Sequence, residues 1–295
     1  MAGLAYLDGV FLSREEARIS PFDRGFLFAD AVYEVTAVYN GQPVDMGRHL
    51  DRLRRSLGEL GYAKFPDRGE LEAMHRRLIA GNDISEGFVY LQVSRGGYGV
   101  RDFVAPDPEK TRLTVFAFAE SKALVDQPAS RDGVKVVSVP DIRWARRDIK
   151  STGLLAQALA KTEAKARGAD DAWLVGPDGL VTEAASANAW IVTKDGEVIT
   201  RALSNSILAG VTRHALFDAL SQAGRKITER SFTLEEAHAA VEAFNTSAVA
   251  LVAPVVSLDG KPVGSGKPGP VTRSIQKLYY QAIGADPSKA APWLG

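Results

Sequence analysis

The sequence predicts a mixed α/β protein of two domains. Three observations carry that expectation. The chain has 295 residues, about twice a common domain length of roughly 150. Helix-like and strand-like patterns alternate along all of it. Asp-Gly and Asn-Gly turns between apolar runs mark hairpins, which exclude a purely parallel sheet. The composition, 45% hydrophobic and 24% charged, suits a globular chain.

Taken in order, Ala5 to Leu12 reads as a hairpin around Asp8-Gly9, and Val32 to Tyr39 as a strand ended by Asn40-Gly41. His49 to Leu60 places Leu50, Leu53, Leu57 and Leu60 on one helical stripe. A second helix over Glu70 to Ala80 stops at Gly81-Asn82. Phe88 to Val93 and Leu113 to Phe118 alternate as strands, separated by a glycine-rich loop, Arg95 to Asp102. The segment 120–130 loses periodicity, which predicts an N-terminal domain over 1–119, a linker, and a C-terminal domain over 131–295. There a strand (Val134 to Val139) precedes a helix (Ser151 to Arg167), whose Leu154, Leu155, Ala158 and Leu159 repeat as an inward face. Strands at Ala172 to Val175, Ala189 to Thr193 and Val198 to Thr200 follow, then a helix from Val211 to Ala223. Thr233 and Glu236 are spaced as a capping box. A strand from Val249 to Leu258 and a helix from Val271 to Ile283 precede a tail, Ala285 to Gly295, that reads as loosely ordered.

Several function classes drop out. Lys+Arg and Asp+Glu number 36 each, so the net charge is zero, against the basic excess of a nucleic-acid binder. With no cysteine there is no disulfide framework, thiolate nucleophile or Cys-ligated zinc. No run approaches the ~18 uncharged apolar residues of a membrane span, and no signal peptide is visible at the start; a cytoplasmic protein is expected. The four histidines, His49, His75, His214 and His238, show no metal-ligand spacing and read as solvated helix-face residues. Gly264-Ser265-Gly266-Lys267-Pro268 fails as a phosphate loop, because Lys261 stands at the first glycine position and Pro268 at the Ser/Thr.

What remains is one lysine and a few small-residue turns. Lys150 precedes the helix expected from Ser151 and lies near Arg143, Arg146 and Arg147. The helix dipole and the cationic neighbours would both favour the uncharged amine, the form that attacks a carbonyl; the alternative is a surface lysine in a basic loop. Glu183 sits among small residues in Thr182 to Asn188 and would suit a cationic ring nitrogen if buried; the alternative is an exposed turn glutamate. Gly210-Val211-Thr212 opens a helix whose amides would hold a phosphate or merely be N-capped. Arg52 is a second phosphate ligand or a solvated helix charge.

Tyr33-Glu34-Val35, His49 to Leu53, Asp141 to Trp144 with Asp148 to Ser151, Val181 to Glu183, Asn188, and Leu208 to Arg213 occur in that order. Together they resemble the class IV, fold-type IV pyridoxal-phosphate aminotransferases, and within them the bacterial D-amino-acid aminotransferases, over nearly the whole chain. The resemblance implies two α/β domains with the cofactor site between them, and pyridoxal 5'-phosphate as cofactor. It implies that Lys150 condenses with the cofactor and shuttles the substrate proton, and that Glu183 pairs with the pyridinium nitrogen. Arg52, Val211 and Thr212 would hold the phosphate, with the backbone N–H of Ala248. Leu208 would pack beneath the ring and Ser186 hydrogen-bond near the cofactor. Tyr33 and Arg101 would bind the substrate carboxylate, and Phe103 stands where the family offers a histidine. Ala37 departs from the pattern too, and with Phe103 would leave the pocket less polar; Ala248 departs where the family often offers the phosphate a hydroxyl. A homodimer is implied, with the 101 loop reaching the partner's site. The expected reaction is ping-pong transamination from D-alanine or a D-glutamate-like donor to a 2-oxo acid. The alternatives are an (R)-selective amine transaminase, a mixed-activity enzyme, and a lyase resembling aminodeoxychorismate lyase.

Overall fold

In the computed structural model, which describes residues 3–97, 99, 101–107 and 112–294, the Asp8-Gly9 pair takes positive φ values of 49° and 95° and closes a hairpin. Its strands are β1 (Leu4–Leu7) and β2 (Val10–Ser13). The chain forms two units, each with its own sheet: Met1–Lys122 with Ile149–Gly153, and Ala123–Asp148 with Leu154–Gly295. Of the glycine-rich loop, Tyr98 and Val100 lie outside the described residues, as does Gly295 of the tail.

The first unit continues with α1 (Arg24–Phe28), β3 (Ala31–Tyr39), β4 (Gln42–Pro43), α2 (Met46–Glu59), α3 (Arg68–Gly81), β5 (Glu86–Ser94) and β6 (Thr114–Ser121). Six strands pair antiparallel in the order β2-β1-β6-β5-β3-β4. Because side chains alternate along a strand, Val32, Glu34, Thr36 and Val38 of β3 share one face. There Val32 and Val38 meet the α2 stripe Leu50, Leu53 and Leu57 in a common core with Leu71, Met74 and Leu78 of α3. On the opposite face Tyr33 stacks on Tyr90 with centroids 5.6 Å apart, and Tyr90 on Phe118 at 5.1 Å. Asp67 N-caps α3 through the N–H of Glu70, which starts that helix two residues before the apolar pattern does.

The second unit contains α4 (Pro128–Arg131), β7 (Val134–Pro140), α5 (Leu155–Ala166), β8 (Asp171–Val175), β9 (Val181–Ala184), β10 (Asn188–Val192), β11 (Val198–Thr200), α6 (Val211–Gln222), β12 (Ile227–Glu229), α7 (Leu234–Ala239), β13 (Glu242–Ser247), β14 (Leu251–Leu258), β15 (Lys261–Pro262), α8 (Pro270–Ala282) and α9 (Pro287–Ala290). Its mixed sheet runs β12-β11-β10-β13-β14-β7-β8-β9, with β15 on β14. The capping box of Thr233 and Glu236 is present in both directions.

Several expectations are corrected. The helix expected from Ser151 starts at Leu155, because Ser151 bridges Val32 and the N–H of Thr152 donates to the carbonyl of Ala31. Residues 149–153, and Lys150 with them, therefore belong to the first unit and not to the C-terminal domain. On α5 the inward residues are Ala160 and Ala164, packed with Ala172 and Leu174; Leu155 and Leu159 are 73% and 51% exposed, since small residues let a helix seat closely. The tail is ordered: Ala285, Pro287 and Ala291 are buried, and the indole N–H of Trp293 donates to Asp126. His49 and His75 are core residues, not solvated ones.

Candidate active site

The first unit supplies an amine. Ile149 is 3% exposed and sits in the core beneath β3. Alternation along this extended segment then turns the Lys150 side chain toward the face of Tyr33. Its backbone is fixed there, the carbonyl accepting from the N–H of Tyr33 (3.0 Å) and the N–H donating to Ser56 Oγ (3.4 Å). Nζ lies 4.2 Å from the Tyr33 ring centroid. The helix-dipole argument for this lysine does not apply, as α5 begins five residues further along. The neighbouring arginines are neutralised by their own carboxylates, Arg146 by Asp148 and Arg147 by Asp141. What singles out Lys150 is its placement beside the tyrosine on a rigid strand.

Behind Tyr33, the next residue of β3 does a different job. Glu34 is buried on the α2 side and grips Arg52 edge-on, accepting from Nε at 2.8 Å and Nη2 at 2.7 Å. His49 Nδ1–H donates to the same carboxylate at 2.7 Å. Burial alone would raise the Glu34 pKa, but the Arg52 charge and these hydrogen bonds hold it down at about 2. Burial in turn lowers the His49 pKa, against the pull of Glu34. Arg52 thus carries a fixed direction, which suits an anion ligand.

The second unit supplies an acid and an anion cradle. Glu183 is 4% exposed on β9, not on an open turn. One oxygen accepts from Arg143 Nη1, the other from Asn188 Nδ2 (3.0 Å) and the N–H of Leu208 (3.1 Å). Burial raises its pKa more than Arg143 lowers it. Arg143 is itself held by Asp141 through Nε (2.9 Å) and Nη2 (2.8 Å), and Asp141 accepts from the Thr182 hydroxyl at 2.7 Å. A carboxylate offers about four acceptor sites. Three donors leave room for the N–H of a pyridinium, which would relieve the buried charge.

Asn188 also donates to the Leu208 carbonyl at 2.9 Å, tying that segment to β10. Gly210 then passes so close that a Cβ there would lie 2.1 Å from Asn188 Oδ1. Gly210 is the N-cap of α6 and makes no side-chain cap, so no N-cap side chain satisfies the first-turn amides of buried Val211 and Thr212, the kind of donors that suit an anion. The register Asn188 opposite Thr246 brings the 185–187 turn, with exposed Ser186, to the same end of the sheet as the 248–250 turn, with Ala248. These donors fit the phosphate and ring of pyridoxal 5'-phosphate.

Arg101 and Phe103 lie in the first unit on an exposed loop and pack on α1, with Arg101 Cζ 5.2 Å from the Phe28 ring centroid. Sequence reasoning missed Glu34 and His49 as partners of Arg52, and Asp141 and Arg143 as holders of Glu183. A charged residue at an inward position of an alternating strand was the available signal for Glu34. Among the described residues, no group of three or more His, Asp or Glu side chains is placed to hold a metal ion.

The family model for class IV amino-transferases matches residues 31–258. A D-alanine aminotransferase of Bacillus licheniformis is 34% identical over 96% of this chain and 98% of its own length. One of Staphylococcus aureus (strain MSSA476) is 37% identical over 94% and 97%. The branched-chain aminotransferase of Thermoproteus uzoniensis, solved with norvaline, superimposes with a TM-score of 0.83 at 25% identity, covering 99% of this chain and 98% of the other. The chain belongs to the class IV aminotransferases and is a pyridoxal 5'-phosphate-dependent enzyme.

Proposed function

We propose that this enzyme moves the amino group of a D-amino acid, D-alanine or a D-glutamate-like donor, to a 2-oxo acid in a ping-pong cycle. The observation that carries the reading is the match to D-alanine aminotransferases at 34–37% identity over more than nine-tenths of the chain. Pyridoxal 5'-phosphate supplies an aldehyde and an electron-withdrawing ring. Lys150 would present the amine for that aldehyde and would serve as the base at the donor's Cα. Glu183, its carboxylate fixed by Arg143 and Asn188, would keep the ring nitrogen protonated. Arg52, aimed by Glu34, would be a phosphate ligand of the first unit, and the amides of Val211, Thr212 and Ala248 would be those of the second. Leu208 would pack against the ring, and Ser186 would offer it a hydrogen bond. Tyr33 and Arg101 bind the donor's carboxylate.

The working form is a homodimer, located in the cytoplasm, in which the 101 loop reaches the partner's site. Exposed apolar side chains on the first unit, Phe26 at 76%, Phe103 at 75% and Val104 at 74%, support a covered face there. A second reading, an (R)-selective amine transaminase, is favoured by Phe103 and Ala37, which are apolar where the resembled family offers polar side chains.

A donor screen with both alanine enantiomers and (R)-1-phenylethylamine, against pyruvate and 2-oxoglutarate, tests the proposal. D-alanine with 2-oxoglutarate should lead. Faster turnover of the amine would favour the second reading, and repeated release of pyruvate from a single substrate that carries a leaving group, with no 2-oxo acid present, would point to a lyase.

A further inference from the structure

The loop that carries Arg101 is anchored by an arginine to which the function above assigns no role. Arg24 opens α1 and is 8% exposed. Its guanidinium reads three successive carbonyls: Nη1 donates to Asp102 O (2.5 Å) and Val104 O (3.3 Å), Nη2 to Phe103 O (3.2 Å). Its Nε donates to Asp30 Oδ2 at 2.8 Å, and that oxygen also accepts from Arg95 Nε at 2.8 Å. The donor fork is therefore fixed before it meets the loop. Beside this clamp, two rings flank the guanidinium of Arg101. Its Cζ is 4.8 Å from the Phe103 centroid and 5.2 Å from that of Phe28, and the two rings are 5.4 Å apart.

A free arginine side chain loses much rotamer freedom when it grips a ligand, and ordering it beforehand strengthens binding without any new contact to the ligand. Phe103 offers a carboxylate no hydrogen bond, but its ring face attracts the Arg101 cation. We propose that Arg24, Phe28 and Phe103 are positioning residues that hold Arg101 ready as a single-cation reader of the donor's carboxylate. The arm then works without a histidine at 103: the phenylalanine acts on the arginine instead of on the substrate. This rests on the reading of Arg101 given under Proposed function.

The test is the first half-reaction of the holoenzyme with D-alanine, followed in stopped flow through the loss of the bound cofactor's absorbance. The concentration dependence gives an apparent Kd and a plateau rate. Phe103→Leu keeps an apolar side chain but removes the ring; it should raise the apparent Kd roughly two- to fivefold at an unchanged plateau. Phe103→Tyr restores the ring and should restore the wild-type Kd. Arg24→Gln should raise it about tenfold. Should that buried substitution prevent folding, the Phe103 pair decides alone, on variants that sedimentation shows to keep the wild-type oligomeric state. A Phe103→Leu enzyme equal to wild type, or a Phe103→Tyr enzyme as weak as the leucine variant, overturns the proposal. Arg101→Ala is the reference: if it raises the apparent Kd while Phe103→Leu does not, only this inference falls. If Arg101→Ala itself changes nothing, the carboxylate role of Arg101 falls as well.

Discussion

Glu34→Gln tests how the first unit aims its arginine. The side chain is 1% exposed and accepts from two nitrogens of Arg52 and one of His49. Glutamine keeps the shape but loses the charge, and its amide sets N–H groups against N–H donors. Removing one member of a buried ion pair costs about 3–5 kcal/mol, because the remaining charge is left uncompensated. The pKa of Glu34 gives a second handle. The fall from 4.5 to about 2 is worth roughly 3 kcal/mol. As a depressed carboxyl, Glu34 stabilises fully above pH 4.5, and the gain is lost as the pH falls toward 2. His49 lowers wild-type stability in acid as well, since burial holds its pKa in the fold below that of the unfolded chain. Urea unfolding of the apo protein at pH 7.5 should show the variant less stable by about 3–5 kcal/mol, and the gap should shrink by about 1 kcal/mol at pH 3.5. Affinity for pyridoxal 5'-phosphate should fall with it. A loss below about 1 kcal/mol at pH 7.5, or a gap that does not narrow in acid, would refute the reasoning.

Two further outcomes follow from the second unit. Arg143→Gln removes the cation opposing burial at Glu183, so the carboxyl's pKa should rise further and the acid limb of the kcat profile should move to higher pH. A drop in kcat of about tenfold is expected, and an unmoved acid limb would separate Arg143 from Glu183. Gly210→Ala places a methyl 2.1 Å from Asn188 Oδ1, so Asn188 must shift. Overpacking of about 1–3 kcal/mol should appear as a loss of cofactor affinity of roughly tenfold or more, read by fluorescence titration.

Local signals in the sequence carried most of the fold. The Asp8-Gly9 hairpin, the leucine stripe of α2 and the Thr233–Glu236 capping box depend on neighbours within a few residues, and each stands as read. The errors occur where distant chain decides. Ser151 and Thr152 continue the helical pattern of α5, yet they pair with Ala31 and Val32, more than a hundred residues earlier, and that pairing delays the helix. Leu155 and Leu159 have the spacing of a buried face, but the alanines beside them fit the sheet more closely. The short strands β9, β12 and β13 lacked any alternating run long enough to register. At the proposed site, resemblance alone points to Lys150, Glu183 and Arg52. A helix dipole does not act on Lys150, because α5 starts at Leu155; strand alternation against Ile149 sets its direction instead. The partners Asp141 and Arg143, which hold Glu183, are not legible, because a buried carboxylate or guanidinium looks in sequence like a surface charge; for Glu34, only its inward place on an alternating strand gives a hint.

The most direct measurement is reduction of the cofactor-loaded protein with borohydride, followed by peptide mapping. The phosphopyridoxyl group should be found on Lys150 alone, and Lys150→Ala should bind the cofactor without the linkage and lose transamination. A label on any other lysine, or undiminished turnover by Lys150→Ala, would contradict the account.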